Sequence, residues 1–369
     1  MNKIYSYVFK TFYAVFNIFF IATLLIYPSE IFFATKTGLL LWYNNILPSI
    51  FAFIIGINII SASNFSKHSS YFFKKISTKK TILLSHILKT TFLGHLAGYP
   101  LGSKLTSNLV GERKINKSHI TLMLGLSCAC SPVFLISAIG NNIFSNKNIG
   151  YILIFTQFFA NIITGYLYYL LFIKEKEKDS LLEHNKYNEN DSYTRHSIVT
   201  KATLESNNKT LSFSTILSNS IMNAIETVLS ICGTIVFFCI LIKILQIYKI
   251  DLLFFKLISF LASCISNNVL INDSETLKAI TNSFIYGLLE ITNGIYYLSN
   301  MPVSTTLKIS FISFLTTFGG ACVHMQLVNV YNLNKKIEPI KIGSYVNYKF
   351  ISAIIAFIIT YLIITYFNF

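Results

Sequence analysis

Residues 98–102 (Gly-Tyr-Pro-Leu-Gly) interrupt an apolar stretch of this chain with helix-breaking residues. Glycine frees the backbone and proline lacks an N–H group, so a helix that reaches this run breaks there. In a lipid bilayer a broken helix persists only where it is buried in protein or lines a wet cavity. Ser131-Pro132 and Gly319-Gly320 predict two further breaks. Because breaks occur in both halves of the chain, they favour a transport pathway over a passive membrane anchor.

The composition indicates that most of the chain lies in a membrane. Of its 369 residues, 53% are apolar and only 12% are charged, about half the charge of an average soluble domain. Windows that lack Asp, Glu, Lys and Arg and approach the length of a membrane span are 11–27, 38–60, 120–144, 149–173 and 350–369. Weaker windows are 227–242, 252–270, 279–298 and 305–330. We therefore predict an all-α polytopic membrane protein with about nine transmembrane helices plus a re-entrant hairpin.

The loops between these windows predict the topology. The net charge is +15, and the basic residues lie in short loops beside the apolar windows. This pattern is typical of the positive-inside rule and is a better interpretation than a nucleic-acid partner. The basic loops, which should be cytoplasmic, are 61–81, 104–117 and 332–349. The loops with little positive charge, which should face outward, are 28–37, 145–148 and 299–304.

The stretch 82–103 lies between two loops that are both predicted to be cytoplasmic. It should therefore enter and leave the membrane on the same side, as a re-entrant hairpin. A single span with a wrong loop assignment is the alternative.

The polar segment 174–212 divides the membrane part into two halves. It is rich in Asn, Ser and Lys, which predicts a disordered cytoplasmic linker. Each half has an opening helix, a glycine-rich break, a small-residue break and a plain helix, and the opening helices run in opposite directions. This order predicts an inverted repeat. The predicted parts are a retained N-terminal helix (1–37), a first repeat (38–173), the linker and a second repeat (213–369).

Two ionisable residues lie within apolar windows. Glu290 could couple a proton or a cation to transport or bind the substrate, because a carboxylate at membrane depth is costly and usually functional. A charge paired with a lysine, or a structural bond to a neighbouring helix, is the alternative. His324 could relay protons or bind a carboxylate, or it could be a packing residue. The helix starts after Gly102 and after Gly320 expose N–H groups that suit an anion.

These arguments predict a substrate site and no catalytic or metal site. The candidate binding residues are Gly98, Tyr99, Pro100, Gly102, Ser103, Ser127, Ser131, Pro132, Glu290, Thr292, Asn293, Gly319, Gly320, His324 and Gln326. The six cysteines lack the spacing of a metal site and are interpreted as small packing residues, with a metal at Cys128-x-Cys130 as the alternative. No cofactor is expected beyond a coupling proton or cation.

Several runs resemble the YlbJ-like sporulation integral membrane proteins. They are 38–49 (GLLLWYNNILPS), 98–104 (GYPLGSK), 131–140 (SPVFLISAIG), 287–294 (GLLEITNG) and 318–326 (FGGACVHMQ). The resemblance implies two nucleoside-recognition ("Gate") repeats and a plan similar to concentrative nucleoside transporters. It also implies a role in moving dipicolinic acid into the developing spore. One departure is the stretch 127–130 (SCAC), where the family tends to carry Asn-rich polar residues, so the substrate could differ.

The sequence thus predicts a secondary transporter of a small polar or anionic solute. The resemblance favours dipicolinate, with nucleosides as the rival substrate. The expected location is the bacterial cell membrane, with the outer forespore membrane as a narrower option. No Walker loop, Gly-x-Ser-x-Gly or His-Glu-x-x-His motif occurs, so we do not expect an enzyme. A membrane-embedded enzyme and a sporulation scaffold are the alternatives from other classes. The expected partners are the solute and membrane lipid, and a homo-oligomer is left open.

Overall fold

The protein is built from helices. The computed structural model describes residues 2–62, 79–174, 212–265, 274–334, 337, 340 and 342–367, and these contain no strand. The helices are α1 (Asn2–Ile26), α2 (Pro28–Leu41), α3 (Leu47–Ala62), α4 (Lys79–Ala97), α5 (Tyr99–Gly111), α6 (Ile120–Ser127), α7 (Lys147–Tyr168), α8 (Phe213–Ile247), α9 (Ile250–Ile265), α10 (Ser274–Leu289), α11 (Ile291–Ser299), α12 (Thr305–Phe318), α13 (Gly320–Asn332) and α14 (Ile342–Phe367). π-helical turns join α2 to α3 (Trp42–Ile46), follow α6 (Phe134–Asn141) and extend α7 (Tyr169–Ile173).

Several of these helices are long and apolar enough to cross a membrane. By length and composition the described residues contain four such stretches, Lys147–Ile173, Phe213–Ile247, Thr305–Asn332 and Ile342–Phe367. Lys10–Ile26 and Pro28–Asn44, bent by 101° at Tyr27, make a fifth if they are one span. The chain is therefore an all-α polytopic membrane protein, as predicted. The total of about nine spans also counts shorter and broken helices and stays a prediction.

The predicted outward loop at 28–37 is wrong, because these residues belong to α2. Pro28 is tolerated in the first helical turn, because an N–H group there has no partner within the helix. The negative charge of Glu30 is favourable near the positive end of the helix dipole. The helix then packs against α8, with Trp42 Nε1 donating to the Val228 carbonyl at 3.0 Å. The opening helix of the first half thus begins near Pro28, and the predicted boundary between residues 37 and 38 falls inside it.

The stretch predicted as a re-entrant hairpin consists of α4 and α5, which fold back on each other at Gly98. Gly98 has φ of 97°, in the left-handed region that favours glycine. His86, in α4, lies within electrostatic range of Glu112 and Lys114, which follow α5. The end of α5 therefore lies close to α4 near His86, whereas in a straight span these residues would lie far apart.

A second hairpin occurs in the other half of the chain. Here α10 and α11 meet at Glu290, and an added Cβ at Gly294 of α11 would collide with the backbone of Gly287 in α10. In each half the hairpin is followed by a broken helix, at 128–131 and at Gly319, and then by a long helix, α7 or α14. This is the predicted order of elements. That the halves superpose as inverted repeats stays a prediction.

Small polar residues join the long helices of the two halves. Ser313 of α12 lies between Thr156 of α7 and Thr360 of α14, with hydroxyl oxygens 3.3 Å and 2.8 Å apart. All three residues are buried. Small and hydroxyl-bearing residues let membrane helices approach closely and hydrogen-bond, so this contact fixes the two halves against each other. The predicted linker 174–212 lies, apart from its first and last residues, outside the described residues.

The hairpin predicts that both of its flanks face the cytoplasm. In a cysteine-depleted background, Ser118→Cys and Ser70→Cys should be labelled by an impermeant thiol reagent from the cytoplasmic side only. Ser70 lies outside the described residues but in the basic loop before α4. Asn300→Cys, an exposed position after α11, is the control that should be labelled from outside. Labelling of positions 70 and 118 from opposite sides would contradict the hairpin topology.

Candidate functional site

The helix breaks of the two halves meet around one cavity. It contains about 520 Å³ of empty space, including its open side. Its lining residues are Ile46, Ile50, Gly98, Tyr99, Pro100, Cys130, Ser131, Phe134, Ile235, Glu290, Ile291, Thr292, Val323 and Gln326. The structure therefore brings seven predicted residues to one cavity wall: Gly98, Tyr99, Pro100, Ser131, Glu290, Thr292 and Gln326.

Tyr99 connects the hairpin of the first half to the broken helix of the second half. It is the first residue of α5, and its hydroxyl donates to the backbone carbonyls of Thr316 and Thr317 at the end of α12. An added Cβ at Gly319 would lie 3.2 Å from the Tyr99 ring, and Gly319 has φ of 98°. Gly319 is thus required both by the backbone turn and by the close approach of the aromatic ring.

The segment 128–131 between α6 and the following π-helical turn is held by side chains from two other helices. Gln157 of α7 accepts a hydrogen bond from the Cys130 N–H at 3.1 Å and donates one to the Cys130 carbonyl at 3.2 Å. Lys349 of α14 donates to the Cys128 carbonyl at 2.9 Å. These bonds satisfy backbone groups that the helix break leaves free inside the membrane.

The cysteines of this segment are both buried and free. Among the described residues, no three His, Cys, Asp or Glu side chains come together in a way that could hold a metal ion.

Glu290 caps the start of α11. Its Oε2 accepts hydrogen bonds from the Asn293 backbone N–H at 2.8 Å and from the Asn293 side chain at 3.0 Å, and Thr292 also donates to the carboxyl. Glu290 is 3% exposed, and no Lys, Arg or His of the described residues lies within ion-pair distance of it. Glu290 therefore has a structural role, in which its carboxylate caps α11. The same side chain still lines the cavity.

The other predicted site residues lie around the cavity and do not line it. They are Gly102, Ser103, Ser127, Pro132, Asn293, Gly319, Gly320 and His324. An added Cβ at Gly102 would lie 2.6 Å from the Ser127 carbonyl oxygen, and the Ser103 hydroxyl donates to the Leu327 carbonyl at 2.8 Å. Gly102 and Ser103 are therefore positions of close helix packing.

His324 faces aromatic side chains. Its ring centroid lies 4.8 Å from that of Phe318 and 5.4 Å from that of Tyr345, with the rings perpendicular in both pairs. Perpendicular ring contacts of this kind are favourable packing interactions. These contacts agree with the alternative that His324 is a packing residue. A role of His324 in binding stays a prediction.

The sequence analysis missed Lys349. The charge pattern predicts that Lys349 lies in the basic loop 332–349. This prediction is wrong, because Lys349 is fully buried in α14. Counting loop charges cannot detect a helix that begins seven residues before the lysine. The spacing of Tyr345, Lys349 and Ser352 in front of small residues was the available signal, since it describes one inward-facing side of a helix. Lys104, also assigned to a loop, lies in α5 and is partly buried.

The architecture and the cavity define a polytopic membrane protein whose broken helices meet at an internal site. The chain is similar to the sporulation integral membrane protein YlbJ of Bacillus subtilis (strain 168), with 22% identity over 346 residues, 86% of this chain and 74% of that protein. The resemblance to YlbJ-like sporulation integral membrane proteins predicted from its motifs is thus confirmed as a similarity over most of the chain. No family model and no solved structure matches the chain. The implied Gate repeats stay a prediction.

The break at Gly98 predicts a specific cost of substitution. Gly98→Ala should lower the free energy of unfolding by about 1–2 kcal/mol, because alanine is disfavoured at positive φ. Gly233→Ala is the matched control, since nothing lies within 4 Å of an added Cβ there and its φ is not positive. Thermal unfolding of the purified proteins in detergent measures both. Equal midpoints for Gly98→Ala and the wild type would contradict the structure at this break.

Proposed function

We propose that this chain is a secondary transporter of a small polar or anionic solute that acts during sporulation. The observation that carries the proposal is the cavity itself, which is built from the helix breaks of both halves. Transporters place substrates between broken helices, because the free backbone groups and small residues there allow close contact with a ligand. A membrane anchor or scaffold has no need for breaks that converge on one space.

The lining of the cavity supports a small solute with both apolar and polar groups. Apolar and aromatic side chains, including Ile46, Phe134 and Ile235, form much of the wall. Polar groups come from Ser131 and Gln326, together with Thr292 and the Glu290 carboxyl. This mixture is typical of small-molecule sites, in which a few polar groups orient a ligand held by apolar walls. Dipicolinate, favoured by the resemblance to the YlbJ-like proteins, fits this description.

A nucleoside is the second candidate solute. The neutral hydrogen-bonding groups of Ser131, Thr292 and Gln326 could bind the hydroxyl and base groups of a nucleoside as well as a carboxylate. The similar relative is named as a sporulation membrane protein and not as an enzyme. We accordingly propose transport without chemical change of the solute, at the outer forespore membrane. We also propose coupling to a proton or a cation, with Glu290 as the candidate group.

The proposal predicts that Glu290→Gln strongly reduces transport. Glutamine keeps the size of the side chain but loses the charge and one of the two carboxylate oxygens, so the cap of α11 and the cavity wall both change. Uptake of dipicolinate or of nucleosides into proteoliposomes should fall by about tenfold or more, equivalent to about 1.4 kcal/mol. Membrane insertion should persist, because removal of a charge from an apolar segment eases insertion.

Glu112→Gln is the matched control. Glu112 is exposed, lies after α5 and pairs with Lys114 away from the cavity. Solute uptake by Glu112→Gln should therefore equal uptake by the wild type. Normal uptake by both Glu290→Gln and Gly319→Leu would overturn the transport proposal and support a sporulation scaffold.

A cellular readout follows from the same proposal. In a spore-forming host whose own YlbJ-like protein is deleted, the wild-type chain should restore the dipicolinic acid content of the spores, and Glu290→Gln should leave it low. Dipicolinic acid is measured in spore extracts, with membrane levels of each variant checked by immunoblot. Full restoration by Glu290→Gln at equal protein level would contradict dipicolinate as the solute or Glu290 as part of its pathway.

A further inference from the structure

A buried lysine brings a positive charge to the end of the broken helix in the first half. Lys349 of α14 is 0% exposed, and its Nζ donates to the Cys128 carbonyl at 2.9 Å. Cys128 follows the last residue of α6 with φ of −88° and ψ of 108°, so its backbone is no longer helical. Free carbonyl groups at the end of a helix carry partial negative charge and favour a cation. The ammonium therefore lies at a position that suits a positive ion.

A second oxygen ligand of the ammonium comes from α7. Asn161 Oδ1 accepts from Lys349 Nζ at 3.1 Å and from the Ser352 hydroxyl at 2.7 Å, and all three residues are 0% exposed. Asn161 Nδ2 has no hydrogen-bond partner among the described residues. The amide is thus oriented with its oxygen toward the ammonium, although its own nitrogen is left unpaired. A backbone carbonyl and an amide oxygen are groups that metal cations also bind.

The corresponding helix end in the second half receives no charge. Here the carbonyls of Thr316 and Thr317, at the end of α12, accept from the neutral hydroxyl of Tyr99. A hydroxyl is therefore sufficient to satisfy carbonyl groups that a break leaves free in the membrane. At the end of α6, Lys349 supplies a positive charge in addition to a hydrogen bond.

A metal cation could not bind beside this ammonium. Among the described residues, no Asp or Glu carboxylate lies within ion-pair distance of Lys349. Its electrostatic neighbours include His95 of α4, His324 of α13 and the thiols of Cys128 and Cys130, which carry no negative charge at neutral pH. Two positive charges in a medium of low dielectric constant repel each other strongly. The ammonium and a metal cation therefore exclude each other at this position.

We propose that Lys349 is a built-in cation that takes the place of a coupling metal ion at the end of α6. Transporters with broken helices bind coupling cations such as Na⁺ at unwound carbonyls and at the ends of half-helices. Because the ammonium already fills that position, transport by this chain is independent of Na⁺ and K⁺. This consequence rests on the proposed transport function and specifies its coupling, since it leaves the proton as the coupling ion.

Thermal unfolding of the purified protein in detergent tests the cation site without any solute. The midpoint is compared in NaCl, KCl and N-methyl-D-glucamine chloride at equal ionic strength, because the organic cation is too large for the site. The wild-type midpoint should be the same in all three salts. Lys349→Ala should have a lower midpoint in the organic salt. That midpoint should rise by about 2 °C or more in NaCl or KCl, because a metal cation then binds the freed oxygen atoms.

Lys349→Met is the matched control. Methionine removes the charge but fills most of the space and offers no oxygen ligand, so its midpoint should be low and equal in the three salts. A rise of the wild-type midpoint in NaCl or KCl would overturn the inference, as would an equal response of the alanine and methionine variants. If Lys349→Ala does not fold in the organic salt, it should fold in NaCl or KCl, and failure to fold in every salt overturns the inference.

Uptake into proteoliposomes tests the consequence for transport. Uptake of dipicolinate (pyridine-2,6-dicarboxylate) or of uridine by the wild type should stay the same when N-methyl-D-glucamine replaces Na⁺ and K⁺ on both sides. A fall of about tenfold or more without Na⁺ and K⁺ would overturn the inference and leave transport standing. Absence of uptake in every salt, with the predicted unfolding midpoints, would overturn the transport proposal and leave Lys349 a built-in cation.

Discussion

Backbone groups that are freed where a helix breaks inside a membrane need partners from the protein, and this requirement organises the structure around its cavity. At the start of α11 the partner is the Glu290 carboxylate. At the segment 128–131 the partners are the amide of Gln157 and the ammonium of Lys349. The end of α12 receives the hydroxyl of Tyr99. Glu290 and Tyr99 line the cavity themselves, and Gln157 and Lys349 hold the segment 128–131, part of which lines it. The bonds that stabilise the breaks therefore also shape the cavity.

The two halves meet this requirement in different ways. The second half supplies its own carboxylate, whereas the first half has glycine at the corresponding cap and a buried lysine close by.

Those parts of the fold that depend on local backbone chemistry could be predicted from the sequence. The breaks at Gly98, Ser131 and Gly319 follow from glycine and proline in apolar surroundings, and the structure has a break at each. The break at Glu290 has no glycine or proline at the turn itself. Glu290 caps α11 through hydrogen bonds from Asn293, and a sequence pattern does not show these contacts. The positive-inside rule predicts that a lysine near the end of a span lies in a cytoplasmic loop. For Lys349 this prediction is wrong, because the residue lies within α14.

Only some of the binding residues predicted from the sequence line the cavity. Helix rotation and contacts between distant parts of the chain decide which residues do so, and a sequence pattern shows neither. The most direct test of the central claim, that the meeting point of the breaks is the solute site, is an experimental structure of the protein with pyridine-2,6-dicarboxylate. The account predicts density for the solute in the cavity between Tyr99 and Thr292. Density for the solute at another position, with this cavity unoccupied, would contradict it.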